Sequence, residues 1–214
     1  MNKNSLYCYI GGGRILEPDS KAVLDELILR ASKMKVSSAV VILASQTKKE
    51  TWLNVGRELF ERMGIRDVRY FDSFEEDALS RWEDVKVCQA VFVTGGKPDI
   101  LLKRLKKIGL FEKVKKFLSQ NNMFIIGTSA GALVFNETCF ISEDEDYPKE
   151  LFLEGFSLRS DFICEVHYEE GRYKNLINAL KKNDVIAIEE NSALFCTSNE
   201  KIAIGRVHFF KKTK

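Results

Sequence analysis

Two histidines and three prolines are spread over 214 residues, no Cys-x-x-Cys pair occurs, and neither sign of charge dominates. Each scarcity removes a class of protein. Lys plus Arg number 33 against 31 Asp plus Glu, so the chain lacks the basic excess with which a dedicated nucleic-acid binder neutralises phosphates. The short runs "KRLKK" (Lys103 to Lys107) and "KVKK" (Lys113 to Lys116) read as solvated helix faces. No uninterrupted apolar run approaches the roughly 20 residues that span a bilayer, and the start "MNKNSLYCYI" has no long apolar core of a signal peptide. A cytoplasmic protein without a membrane or nucleic-acid partner is expected. The cysteines, Cys8, Cys88, Cys139, Cys164 and Cys196, are odd in number and scattered among apolar neighbours. Buried free thiols fit that usage better than a disulfide framework or a zinc site. No Pro-rich linker, repeat or low-complexity stretch divides the chain. A single domain over residues 1–214 is therefore expected, with 45% hydrophobic residues to fill one core.

What the chain does contain is an alternation of apolar runs and helical periods, the pattern of an α/β domain with a mostly parallel sheet. Strands are predicted at Leu6 to Gly13, Ser38 to Ser45, Asp67 to Phe71, Ala90 to Gly96 and Met123 to Gly127. Between them, Val23, Leu24, Leu27, Ile28 and Ala31 make one apolar helical face, and Trp52, Leu53, Leu59, Phe60 and Met63 a second, stopped by Gly64. Leu79, Trp82 and Val85 suggest a third helix, and Ile100 to Leu118 one long helix or two short ones broken near Gly109. Near the end, "VIAIEENSALFCTSNEKIAIGRVHFF" reads as three short strands with polar turns at Glu190-Asn191 and Ser198-Asn199.

In such a sheet, function collects at the carboxyl ends of strands. Three strand ends are rich in glycine: Gly11-Gly12-Gly13, Gly95-Gly96 and Gly127 to Gly131. The first does not complete a dinucleotide fingerprint, because Leu16 stands where G-x-G-x-x-G needs its last glycine, and no Walker-type lysine follows. The third is different. "MFIIGTSAGALVF" places Ser129 in a G-x-S-x-G between a strand and a helix, where small neighbours let the backbone reverse and lift the hydroxyl above the sheet. The Ala130 N–H, with a second donor from Gly95 or Gly96, could then hold an oxyanion. Taken alone, the same residues also suit an ordinary turn with Ser129 as a cap.

A serine nucleophile needs a base, and two histidines leave few candidates. His208 sits in a final strand and tail, whereas His167 follows the apolar "FIC" at a predicted strand end. His167 is the candidate base. Between serine and base lies "ISEDEDYPKE", with Glu143, Asp144, Glu145, Asp146 and Glu150, one of which could orient the imidazole.

These segments together resemble the peptidase E and cyanophycinase family of serine peptidases. The resemblance is carried by the glycine-rich first strand end, "FVTGG" (Phe92 to Gly96), "GTSAGA" (Gly127 to Ala132), "EVHYEEGR" (Glu165 to Arg172) and "AIEENSAL" (Ala187 to Leu194). It implies a three-layer sandwich of the class I glutamine amidotransferase-like, flavodoxin-like kind. It also implies a Ser–His–acid hydrolase of short peptides in which Ser129 attacks, His167 relays the proton, Gly95 and Gly96 help hold the oxyanion, and no cofactor or metal takes part. Counting from the serine as in peptidase E points to Asp144 as the acid; counting back from the histidine as in cyanophycinase points to Glu143. The order would be nucleophile, acid, base. Lys97-Pro98 follows "TGG" where many relatives carry Asp or Asn, and Glu165 stands where cyanophycinase has Asp. Arg172 offers a planar fork to a substrate carboxylate, so aspartyl dipeptides are a candidate substrate. An esterase, or a non-catalytic small-molecule or partner-binding domain of the same fold, are the other readings; a glutaminase would use cysteine where this chain has Ser129. The sequence does not fix the number of subunits, and a homodimer is one arrangement open to it.

Overall fold

The structure, a computed structural model, describes residues 5–44, 48–120 and 122–213. The first half alternates strand and helix: β1 (Leu6–Ile10), a 3-10 turn (Pro18–Ser20), α1 (Lys21–Met34), β2 (Ser38–Ala44), α2 (Lys49–Arg62), β3 (Asp67–Phe71), α3 (Ala78–Val85) and β4 (Ala90–Gly96). There follow α4 (Pro98–Lys107), α5 (Phe111–Leu118), β5 (Phe124–Thr128), α6 (Ala130–Leu133), β6 (Thr138–Ile141), β7 (Leu151–Glu154) and β8 (Ile163–Glu165). A 3-10 turn (Arg172–Leu176), α7 (Ile177–Leu180), β9 (Val185–Ile188), β10 (Ala193–Cys196), β11 (Lys201–Ile204) and β12 (Val207–Phe210) complete the chain.

Seven strands form the central sheet in the order β11-β10-β1-β5-β4-β2-β3. The five from β1 to β3 run parallel, and β10 and β11 add an antiparallel edge. The expected α/β architecture with a mostly parallel sheet is present. Its strands read as unbroken apolar runs because helices cover both faces. Tyr7, Tyr9, Val91, Val93 and Ile125 enter one core, packed against α3, α4 and α5. Their neighbours Leu6, Cys8, Phe92, Phe124 and Ile126 enter the other, under α1 and α2. Full burial of a residue such as Phe92 or Ile126 contributes roughly 1.5–3 kcal/mol.

The predicted strands differ from the observed ones mainly at their ends; Ser45 lies outside the described residues. Between Ile100 and Leu118 the chain makes two helices, separated at Gly109 with φ 72°. The carboxyl-terminal stretch holds four strands rather than three, because Gly205, at φ 78°, turns the chain between β11 and β12. The acidic segment is the connection of a hairpin, β6 with β7, that periodicity did not reveal.

A smaller sheet, β12-β9-β8, carries the last part of the site, and β8 runs parallel to β9. A buried polar bridge ties it to the main sheet. Tyr9 donates its hydroxyl to Asn136 Oδ1 at 2.8 Å, and Asn136 Nδ2 donates to the Phe162 carbonyl at 2.6 Å, just before β8. The Tyr9 ring also meets Phe135 and Phe162 edge-on at 5.5 and 5.4 Å. All five cysteines are buried and free. Among the described residues no helix is long and apolar enough to cross a membrane.

Candidate active site

β5 ends at Thr128 and α6 begins at Ala130, leaving Ser129 alone in the turn at φ 52°, ψ −121°. A non-glycine residue in that region stores about 1–3 kcal/mol of strain, held here by its surroundings. The Ser129 N–H donates to the Ile10 carbonyl at the end of β1. Two glycines make the reversal sterically feasible. A Cβ on Gly131 would lie 2.1 Å from the Val93 carbonyl oxygen, and one on Gly127 would lie 2.5 Å from that of Gly131. α6 therefore presses against β4 as closely as backbones allow.

The hydroxyl so presented meets His167. Ser129 Oγ lies 2.8 Å from His167 Nε2, and His167 Nδ1 lies 3.0 Å from Glu190 Oε1. With Nδ1–H donating to the carboxylate, Nε2 is left as acceptor for the serine hydroxyl. His167 itself sits at φ 52°, past the end of β8. Its N–H donates to the Gly11 carbonyl at 2.8 Å, and the imidazole lies directly over Gly12. A Cβ on Gly12 would come within 2.2 Å of His167 Cε1. The glycine run that fails as a nucleotide loop is thus the seat of the imidazole. The end of β1 holds both chemical groups, through Ile10 to the serine turn and Gly11 to the histidine turn.

The carboxylate on His167 is not one of those expected. Glu143 is exposed in the loop after β6. Asp144 folds back on that loop, accepting the N–H groups of Asp146 and Tyr147, each at 2.8 Å. Glu190 reaches His167 instead, because β8 and β9 pair in parallel with Glu165 opposite Ala187, so the turns that follow them emerge side by side. The order along the chain is serine, histidine, acid. The adjacent Glu189 points elsewhere and binds His208 Nε2 at 2.8 Å, which engages the second histidine away from the serine.

Ser129 and His167 open on a pocket of about 140 Å³ lined also by Gly96, Ala130, Asp144, Tyr147, Glu165 and Arg172. Ala130, the first helical residue, has no intrahelical acceptor for its N–H. Gly96 faces this pocket, whereas the position of a Cβ on Gly95 is turned toward the Trp52 ring, 2.7 Å away. Glu165 is 5% exposed, accepts the Ser142 hydroxyl at 2.6 Å, and has its pKa pushed up to about 7 by burial.

A strained strand-to-helix serine, a histidine in hydrogen-bond reach and a carboxylate behind it define the class of serine hydrolases on an α/β sheet. Residues 8–204 match the model of peptidase family S51, and the chain belongs to that family, a family of serine-type peptidases. The structure also resembles a crystal structure from Listeria monocytogenes EGD-e of a protein provisionally described as peptidase E, with a TM-score of 0.68 over 94% of this chain and 98% of the other. At 18% identity that likeness establishes the shared fold. No curated protein matches the chain.

Proposed function

We propose that this chain hydrolyses short peptides through Ser129, His167 and Glu190, in one catalytic domain over residues 1–214. The observation that carries the proposal is the unbroken relay from Ser129 Oγ through both ring nitrogens of His167 to Glu190. As the Ser129 oxygen bonds to the substrate carbonyl carbon, its proton passes to Nε2 of His167, and the Glu190 carboxylate stabilises the resulting imidazolium. The carbonyl oxygen becomes an oxyanion within reach of the Gly96 and Ala130 N–H groups. When the C–N bond breaks, Nε2 returns its proton to the leaving amine and the acyl group stays on Ser129. Water then gives its proton to Nε2 and its oxygen to the acyl carbon, which releases the acid and restores the serine.

Aspartyl dipeptides are the proposed substrates. Arg172 lines the pocket and makes no ion pair among the described residues, which leaves its guanidinium for a substrate side-chain carboxylate. The five free, buried thiols support a reducing, cytoplasmic setting.

The test is a panel of dipeptides, aspartyl and β-aspartyl among them, incubated with wild type, Ser129→Ala and His167→Ala, with released amino acids followed by mass spectrometry. Cleavage of aspartyl members by wild type alone is the expected result. Cleavage that persists in Ser129→Ala would overturn the mechanism, and hydrolysis confined to non-acidic dipeptides would overturn the role of Arg172.

A further inference from the structure

The two glycines that end β4 have different neighbours. Gly96 lines the pocket of Arg172 and Glu165, whereas Gly95 is where α2 meets the serine turn. The position of a Cβ on Gly95 lies 2.7 Å from Trp52 Cζ2 and 3.6 Å from Ser129 Cβ, so the absent side chain lets the indole come up beside the nucleophile. Trp52 stands in the first turn of α2, half-buried, in a T-shaped contact with Phe92 at 6.4 Å between ring centroids. Its indole borders a second cleft, of about 620 Å³, that shares no lining residue with the pocket of about 140 Å³ holding Arg172 and Glu165. Thr128 and Gly13 bring this cleft against the reacting groups: Thr128 precedes the serine, and Gly13 follows the glycine beneath the His167 ring. Leu16, Trp52 and Val55 make its apolar part, each only half-buried against the core under α1 and α2. Of the charged residues at its rim, Arg62 pairs with Glu58, and the exposed Arg14 and Lys48 outnumber the remaining carboxylate, Glu17.

A peptide bound with its acyl residue beside Arg172 must send its leaving residue out of that small pocket, past Nε2 of His167, which protonates the departing nitrogen. The cleft of Trp52 touches both the serine turn and the seat of the imidazole, and it has the room and the apolar surface that the first pocket lacks. A cationic leaving residue would meet the like charges of Arg14 and Lys48 there. A large apolar one would take the half-buried faces of Leu16, Trp52 and Val55 out of water, and an aromatic ring would also pack on the indole. We propose that this cleft is the leaving-group subsite, and that Trp52 makes the enzyme select large apolar leaving residues, aromatic ones above all. This rests on the reading of Ser129 as the nucleophile, and makes Trp52 the residue that sets specificity on the leaving side of the scissile bond.

The experiment uses dipeptides that join each of the twenty residues, as acyl donor, to Gly, Leu, Phe, Trp or Lys as leaving residue. Wild type, Trp52→Ala and Trp52→Phe are compared, release of the leaving amino acid giving kcat/KM, and a fluorophosphonate labels Ser129 in parallel. With the best acyl donor, wild type is expected to release Phe or Trp about tenfold more efficiently than Gly, and Lys no more efficiently than Gly. Trp52→Ala is expected to bring Phe and Gly within about threefold of each other, and Trp52→Phe to restore most of the preference. The ratio is read within one protein, so a general loss of activity does not move it. Equal release of Phe and Gly by wild type, or a preference for Lys, with Ser129 labelled, overturns the subsite alone and does not depend on a variant folding. A full preference retained by Trp52→Ala overturns it as well, as does labelling of Ser129 with no dipeptide cleaved. Neither labelling nor cleavage overturns the serine-peptidase reading, and the proposal with it.

Discussion

Replacing Glu190 isolates the group that most distinguishes this site from one read as a serine and a histidine alone. The carboxylate acts on a charge that exists only while His167 holds the serine proton, so its loss should appear in kcat rather than KM. Two unit charges about 4 Å apart interact by about 1 kcal/mol in water and about 4 kcal/mol near a protein surface. The Glu190 side chain is 60% exposed and that of His167 43%, which places this pair toward the lower end, at about 2 kcal/mol. Glu190→Gln, which can keep a hydrogen bond to Nδ1 but not the charge, should therefore lower kcat by about 30-fold. Glu190→Ala also frees the ring to rotate and should lower it by about 10²–10³-fold. The assay is steady-state hydrolysis of the best dipeptide, with Glu143→Gln as the control in the exposed loop. If both Glu190 variants stay within about threefold of wild type, or Glu143→Gln falls as far as Glu190→Ala, the geometric argument for Glu190 is refuted.

Gly12→Ala should place its methyl group in the space of the His167 ring, and the positive φ of 134° at that position adds strain. A displacement of about 1 Å predicts a kcat loss of about 10²-fold with the fold retained, checked by turnover beside circular dichroism. Glu165 makes stability depend on pH. Its folded pKa of about 7 lies above the ordinary carboxylate value, so the unfolded chain releases this proton first and stability from this group falls as pH rises from about 4.5 to about 7. Glu165→Gln should remove roughly 3 kcal/mol of that decline, seen as a Tm gain over wild type at pH 8 that is absent at pH 4; a parallel shift at both values would count against it. Asn136→Ala should strip the partners from the Tyr9 hydroxyl and the Phe162 carbonyl and destabilise by about 2–4 kcal/mol in urea unfolding, whereas a change under about 0.5 kcal/mol would show that the bridge is dispensable.

The parallel strands were legible because both faces of β1, β2, β4 and β5 are buried, which writes them into the chain as continuous apolar runs between helical periods. The serine turn was legible because Gly127, which packs on Gly131, and Gly131, which packs on β4, fall within one compact motif. Glu190 was not. In the sequence it is half of a polar turn, Glu190-Asn191, and its proximity to His167 comes from a parallel pairing of β8 with β9 across an intervening segment. The dense acidic loop drew attention by composition, yet Asp144 caps its own turn, Asp146 pairs with Lys97 and Glu150 accepts from Asn178, and none of these bonds reaches His167. The one available signal was position: a carboxylate just past the carboxyl end of a strand, like the serine and the histidine. The Gly11 to Gly13 run was visible as a run, but that Gly12 lies under an imidazole depends on contacts with residues far along the chain.

The most direct measurement of the central claim is the site and rate of covalent labelling by a fluorophosphonate, read by peptide mass spectrometry in wild type, Ser129→Ala and His167→Ala. The account predicts a single adduct on the peptide carrying Ser129, slowed by orders of magnitude in His167→Ala and absent from Ser129→Ala. An adduct on another residue, or labelling of Ser129 that proceeds at an unchanged rate without His167, would contradict it.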